Sequence, residues 1–209
     1  SEIMLQQTRV EAVKPYFERF VTTLPTIADL ANVDDQLLLK LWEGLGYYNR
    51  VRNMQTAART VVCEYEGVLP ASYEELLSLK GIGNYTAGAI ASIAYQIPVP
   101  AVDGNVLRVI SRITEDRQDI MKQSVRRQIE ENLLGIMPEE TPGDFNQALM
   151  ELGAVVCVPN GPARCEACPV SEYCLAYRHG TVEELPVKAP KKERILQNRT
   201  VLVIQDGEK

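Results

Sequence analysis

The chain has 209 residues, 45% of them apolar, with 22 Lys and Arg against 28 Asp and Glu for a net charge of −6. That supports a core for one large or two small domains, while no apolar run reaches the roughly 18 residues of a membrane span and the opening SEIMLQQT lacks the basic region and apolar core of a signal peptide. A pI near 5.0 excludes indiscriminate nucleic-acid binding, so any such face must be a segregated patch, and the cytoplasm is the expected location.

Taken in order, the elements are mostly helical. Apolar residues recur at helical spacing in Val13, Phe17, Phe20 and Val21, then in Leu37, Leu38, Leu41 and Trp42, a helix opened by Asp34 and Asp35. Gly44 and Gly46 interrupt the next pattern, and Cys63, alone in a helical stretch, is expected to be buried as an apolar residue. A Ser-x-x-Glu capping box, Ser72 to Glu75, precedes Leu76, Leu77 and Leu79 and predicts a helix over 72–79. A second helix, over 86–95, is apolar on nearly every face, and Val106, Val109, Ile110 and Ile113 mark a third. Pro138, Pro142 and Gly143 separate a helix over 125–137 from one over 145–156. Beyond that, 186–194 reads as a Pro- and Lys-rich linker, and 200–204 as a β-branched run leading to the turn at Asp206-Gly207, where a new domain is expected to begin. Strand signals are otherwise nearly absent, so the fold class is all-α.

The segment from Lys80 to Val106, KGIGNYTAGAIASIAYQIPVPAVDGNV, carries the first chemical signal. Gly81 and Gly83 allow a tight hairpin whose backbone N–H groups approach a phosphate without Cβ obstruction, with Ile82 anchoring the turn in the core. Taken alone, such a Gly-x-Gly equally fits an ordinary helix pair. Asp103 adds weight: no other carboxylate lies between Glu75 and Glu115, and Lys80, Arg108 and Arg112 are basic, surroundings suited to a polyanion. The second signal is a cysteine cluster, Cys157, Cys165, Cys168 and Cys174, in a compact C-x7-C-x2-C-x5-C loop. In a chain expected in the cytoplasm this favours metal ligation over disulfides. An iron–sulfur cluster and zinc both stay open from spacing, zinc sites more often showing two short Cys pairs or a histidine; His179 lies five residues beyond Cys174.

Together SEIMLQQT, WEGLGYYNRVRN, LKGIGNYTAGAI, VDGNVLRV, FNQALMELGA and the cysteine loop resemble the helix-hairpin-helix DNA glycosylases with an iron–sulfur cluster, a family that includes endonuclease III and the MutY-type adenine glycosylases. The likeness runs from Ser1 to about Val187, with one local departure: seven residues separate the first two cysteines, where family members often have six. It implies a six-helix lobe with the helix-hairpin-helix over 1–97, a cluster lobe over 98–180 with a DNA cleft between them, a linker over 181–196, and the start of a truncated C-terminal domain over 197–209. By family standards the chain is expected to begin at the catalytic acid's own helix.

Within this family, lyase-competent members carry a lysine two residues after the second hairpin glycine, to attack the sugar as an amine. Here that residue is Tyr85, so the resemblance implies a monofunctional enzyme that removes adenine mispaired with 8-oxoguanine or guanine. Adenine leaves readily only when a ring nitrogen is protonated. Glu2 matches the family's acid, beside the apolar Ile3, Met4 and Leu5, while an ionised Asp103 stabilises the oxocarbenium-like sugar, a division of labour seen in glycoside hydrolysis. Asn105 and Tyr85 match positions that orient groups around the sugar. Flipping the base requires residues that fill the gap; Gln7, Thr8, Leu45 and Tyr47 match them, with Lys80, Gly81 and Gly83 at a phosphate and Leu5 and Gln147 at the adenine pocket. One of Tyr47 and Tyr48 is expected to be buried. Arg50 and Arg52 read either as phosphate contacts or as solvated charges, and Arg164 as a basic group that the cysteine loop turns toward the DNA backbone. The four cysteines are implied to hold a [4Fe-4S] cluster, and the partner to be double-stranded DNA bound by a monomer. An endonuclease III-like lyase for oxidised pyrimidines, and a non-catalytic iron–sulfur DNA-binding module, are the alternatives.

Overall fold

A computed structural model describes residues 1–190, 200 and 201. Among them there are no strands. The helices are α1 (Glu2–Leu5), α2 (Val10–Thr23), α3 (Ile27–Asn32), α4 (Asp35–Trp42), α5 (Asn49–Glu64), α6 (Tyr73–Ser78), α7 (Asn84–Tyr95), α8 (Gly104–Ile113), α9 (Gln123–Leu134), α10 (Pro142–Glu151) and α11 (Leu175–His179). Of the expected β-branched run, 202–204 and the turn at Asp206-Gly207 lie outside the described residues.

Local chemistry accounts for most boundaries. Thr26 and Asp29 close a full capping box on α3, and Asp34 caps α4 through the amide of Leu37. At α6 the box is half made: Ser72 accepts from the amide of Glu75 at 3.3 Å, but its hydroxyl donates to Glu74 rather than leaving Glu75 to reach back. Past α10 the chain widens into a π-helical turn, Leu152–Val156, that delivers Cys157.

Three apolar clusters form the centre. Met4, Val13, Phe20, Leu38, Trp42 and Val51 join α1, α2, α4 and α5, with Phe20 edge-on to Trp42 at 6.2 Å. Val61, Leu76, Leu79, Ile82 and Ala87 join α5, α6 and α7, and Val106, Leu107, Val125, Ile129 and Leu133 join α8 to α9. Cys63 is not in the core, contrary to expectation: it lies two residues beyond the buried Val61, about 200° round α5, and faces solvent.

Helices α7 and α10 are stitched through Asn146, 1% exposed, whose side chain accepts from the amide of Ala101 and donates to Ser92 Oγ and the Val99 carbonyl, all within 3.0 Å. Gly88 makes the same contact possible from α7: a Cβ there would lie 2.4 Å from the Pro100 carbonyl oxygen. This close approach fixes the extended 99–102 segment that delivers Asp103. Residues 182–187, expected in the linker, instead pack down, with Leu185 buried against Ile113 and the Ile120 amide bonded to the Val187 carbonyl.

Candidate active site and cysteine loop

The hairpin lies between α6 and α7. Ile82 is buried, as expected of an anchor, and Lys80, Gly81 and Gly83 are exposed. The two glycines differ in need. Gly81 has φ +83° and a Cβ would meet Asn53 Cβ at 2.7 Å, whereas Gly83 caps α7 with an extended backbone and open space around it.

As the second residue of α7, the half-buried Tyr85 donates its hydroxyl to Glu2 Oε2 at 2.9 Å, with Met150 Sδ at 3.3 Å. Burial first, then the charges of Glu2 and Asp103, push the phenol well above its usual range, so Tyr85 remains a proton donor at neutral pH. A second tie, Gln6 Nε2 to the buried Thr86 Oγ1 at 3.2 Å, holds the end of α1 against α7. Glu2 and Tyr85, 83 residues apart in the chain, thus meet, and the charge of Asp103 acts on the same phenol.

Asp103 is the N-cap of α8. Its Oδ1 accepts from the amides of Asn105 and Val106, both at 2.8 Å, and its Oδ2 from Asn105 Nδ2 at 2.8 Å. The carboxylate is held by three donors at the positive end of a ten-residue helix. Asn105 in turn accepts from Arg108 Nη2 at 2.8 Å, and Arg108 donates to the carbonyls of Cys157 and Gly153. The approach is tight, since a Cβ on Gly153 would lie 2.6 Å from Asn105 Cβ.

Arg108 and Arg112 therefore do not face a polyanion, as their spacing near Asp103 had suggested. They are 6% and 4% exposed, one turn apart on the inner face of α8, and their charge is met by carbonyls of the cysteine loop. Arg112 reaches the Leu185 and Val158 carbonyls and lies 3.2 Å from Cys157 Sγ. Arg50 is a second correction, being neither a phosphate contact nor solvated: it is buried and bonded to backbone carbonyls. Arg52 and Arg164 are exposed.

Gln7 and Tyr47 both project into solvent from left-handed backbone, φ +58° and +49°. Tyr47 is 63% and Tyr48 41% exposed, so neither is the buried partner expected of the pair. Leu45, expected beside Gln7 at the DNA, is 7% exposed and packed in the first cluster. Thr8 is half-buried with its hydroxyl on Arg50, Leu5 packs against the same cluster, and Gln147 is exposed, bonded to the Gly143 carbonyl one turn back. Asn146, Met150 and the buried role of Arg50 had no sequence signal, because each depends on partners more than 40 residues away.

Cys157, Cys165, Cys168 and Cys174 line one apolar cavity together with Val109, Ile113 and Arg112. Burial, then the charge of neighbouring thiolates, pushes the Cys165 and Cys168 thiols up. Among the described residues no three Cys, His, Asp or Glu side chains converge as a single ion requires. Zinc would draw four sulfurs to about 2.3 Å of one centre. His179 is turned away, its Nδ1 2.6 Å from Glu115 Oε2. Four thiols on one cavity are a donor set that fits an iron–sulfur group.

Residues 1–134 match the family described as "HhH-GPD superfamily base excision DNA repair protein". Among curated proteins, the adenine DNA glycosylase of Schizosaccharomyces pombe is 42% identical over 184 residues, 87% of this chain and 40% of that protein. The Homo sapiens adenine DNA glycosylase is 44% identical over 88% of this chain and 34% of its own length. For that of Buchnera aphidicola from Acyrthosiphon pisum the figures are 37%, 92% and 55%. The chain thus spans between about a third and little more than half of these relatives. Among solved structures, a thermostable thymine-DNA glycosylase superposes with TM-score 0.75 at 28% identity, covering 85% of this chain and 82% of the other. A trapped endonuclease III–DNA covalent intermediate gives 0.74 at 27% identity, with 86% and 82% covered.

Proposed function

This chain belongs to the HhH-GPD superfamily of base excision DNA repair proteins, and from that premise we propose that it is the catalytic part of a monofunctional adenine DNA glycosylase acting on adenine opposite 8-oxoguanine or guanine. The observation that carries the proposal is the meeting of Glu2 with the Tyr85 hydroxyl, on which the charge of Asp103 also acts. Glu2 delivers a proton to a ring nitrogen of the flipped adenine, Tyr85 orients that carboxyl, and the C–N bond breaks with its electron pair leaving on the base. Asp103, held by Asn105 and two amides, stays in place to stabilise the cationic sugar until water adds, its released proton returning the Glu2 carboxylate to the acid form. Tyr85 cannot form a Schiff base, so no strand cleavage follows.

Lys80 and the hairpin amides at Gly81 and Gly83 take a phosphate, while Gln7, Thr8 and Tyr47 enter the duplex; the partner is double-stranded DNA with a mismatched adenine, bound by a monomer. Leu5 and Gln147 border the adenine pocket. The four cysteines of the loop would hold a [4Fe-4S] cluster, whose part is to hold that loop in shape. Arg108 and Asn105 then carry the loop's position to Asp103.

The test is incubation of the full-length protein with duplexes carrying adenine opposite 8-oxoguanine or an oxidised pyrimidine opposite guanine, with and without alkali. Breaks only after alkali, and only in the adenine duplex, are expected. Breaks without alkali in the pyrimidine duplex would mean a lyase of the endonuclease III kind, and none in either would mean a binding module.

A further inference from the structure

Arg50 is an unusual residue for its position. On the first turn of α5 it is 8% exposed, yet it makes no contact with any carboxylate among the described residues. Its Nη1 donates to the carbonyls of Ile3, Met4 and Gln6, the Met4 contact at 2.7 Å. Its Nη2 donates to Thr8 Oγ1 at 3.1 Å and to the carbonyls of Leu45 and Gly46, both at 3.3 Å. The guanidinium also stacks over the Trp42 and Tyr47 rings, 5.2 and 5.5 Å from their centroids. A buried cation without an acid partner is costly, and here backbone carbonyls, the Thr8 hydroxyl and the two rings offset that cost, while its buried Nε has no hydrogen-bond partner.

The choice of carbonyls matters. Two of them belong to the peptide groups that immediately precede Gln7 and Tyr47, the two left-handed residues of this face. Non-glycine residues there are strained and hold only where surrounding structure fixes them. One planar fork fixes both peptide planes at once and so sets the spacing between two exposed side chains carried on separate loops.

We infer that Arg50 is a positioning residue that locks the Gln7 and Tyr47 loops into one preformed tip, so that both side chains enter the duplex together when adenine is unstacked. This rests on the adenine glycosylase reading. It assigns Arg50 to base extrusion and not to bond cleavage, because the guanidinium reaches neither Glu2 nor Asp103.

The test compares wild type and R50K, both full-length and checked for cluster content and melting temperature. Duplexes hold adenine, or fluorescent 2-aminopurine, opposite 8-oxoguanine, or the same base unpaired in a bulge. Lysine keeps the charge but loses the fork. Expected are base release slower by about tenfold or more on the paired duplex, a smaller 2-aminopurine signal there, and near wild-type behaviour on the bulge. Equal losses on both duplexes, or no loss on either, would overturn the inference. Failure of the wild type to release adenine would instead overturn the functional reading on which it rests. Should R50K not fold, amide hydrogen exchange in the wild type without DNA decides: slow exchange across both 6–9 and 44–48 supports a preformed tip, and free-peptide rates in either overturn it.

Discussion

Asp103 serves two purposes that can be separated by substitution. As N-cap of α8 it accepts two backbone amides, a role asparagine fills about as well and alanine does not. Asp103→Asn should therefore leave the urea midpoint close to wild type and DNA binding nearly intact while abolishing base release, because an amide cannot offset a developing positive charge. Asp103→Ala should abolish base release and also cost about 1 kcal/mol of stability. Equal destabilisation by both would mean that the carboxylate's charge, not its capping geometry, holds the helix. The lone acid was visible in the sequence as the only carboxylate in a long span, and so was its likeness to a family position. Its three donors were half visible: Asn105 is a neighbour in the chain, but the Arg108 that aims Asn105 was read as a contact for a polyanion. Whether a basic side chain on a helix meets water or buried carbonyls depends on what packs against that face.

Two contacts between elements invite measurement. Asn146 bonds α10 to α7 and to the segment leading into Asp103, and Asn146→Leu would leave the Ala101 amide and Val99 carbonyl without partners in the interior. The expected loss is about 2–4 kcal/mol in chemical denaturation, with slower base release, although Asn146 touches neither acid. At the far end of α8, Glu115 accepts from Thr181 at 2.7 Å and pairs with His179 at 2.6 Å, tying the helix to the chain around α11. The hydrogen bonds from His179 and then Thr181 hold the Glu115 carboxyl below its ordinary 4.5. A lowered carboxyl stabilises the fold above its unfolded value and loses that contribution as pH falls through the folded one. The stability gap between wild type and Glu115→Gln should thus be present above about pH 4.5 and close below it, read from denaturation at a series of pH values. A gap independent of pH would show that the carboxylate's ionisation is not what counts.

At the scale of the whole molecule, the cysteine loop is tied to α8 through arginines that have no acid partner among the described residues. Apart from Asn105 and the Gly104 carbonyl, which Arg108 also meets, Arg108 and Arg112 find their acceptors on 153–158 and at Leu185. Disruption of the loop by Cys165→Ser with Cys168→Ser should strand two buried charges, lower the melting temperature by several degrees, and expose 157–187 to limited proteolysis, since a buried charge deprived of partners costs several kcal/mol. An unchanged melting temperature would mean that the loop keeps its shape without bound iron.

Local rules sufficed for much of this architecture. The helices over 72–79 and 86–95, the cap at Asp34, the buried Ile82 of the hairpin and the cysteine spacing are written in neighbouring residues, where periodicity, capping and backbone sterics act over a few positions. Tertiary structure alone decided the environments: Cys63 outward, Leu45 inward, Tyr47 and Tyr48 both exposed, and Arg50, Arg108 and Arg112 turned into the interior. Burial and charge compensation are set by partners tens of residues away, such as Ile3 and Met4 for Arg50 and Cys157 for Arg108, and short-range sequence patterns do not encode which distant carbonyl a side chain will meet.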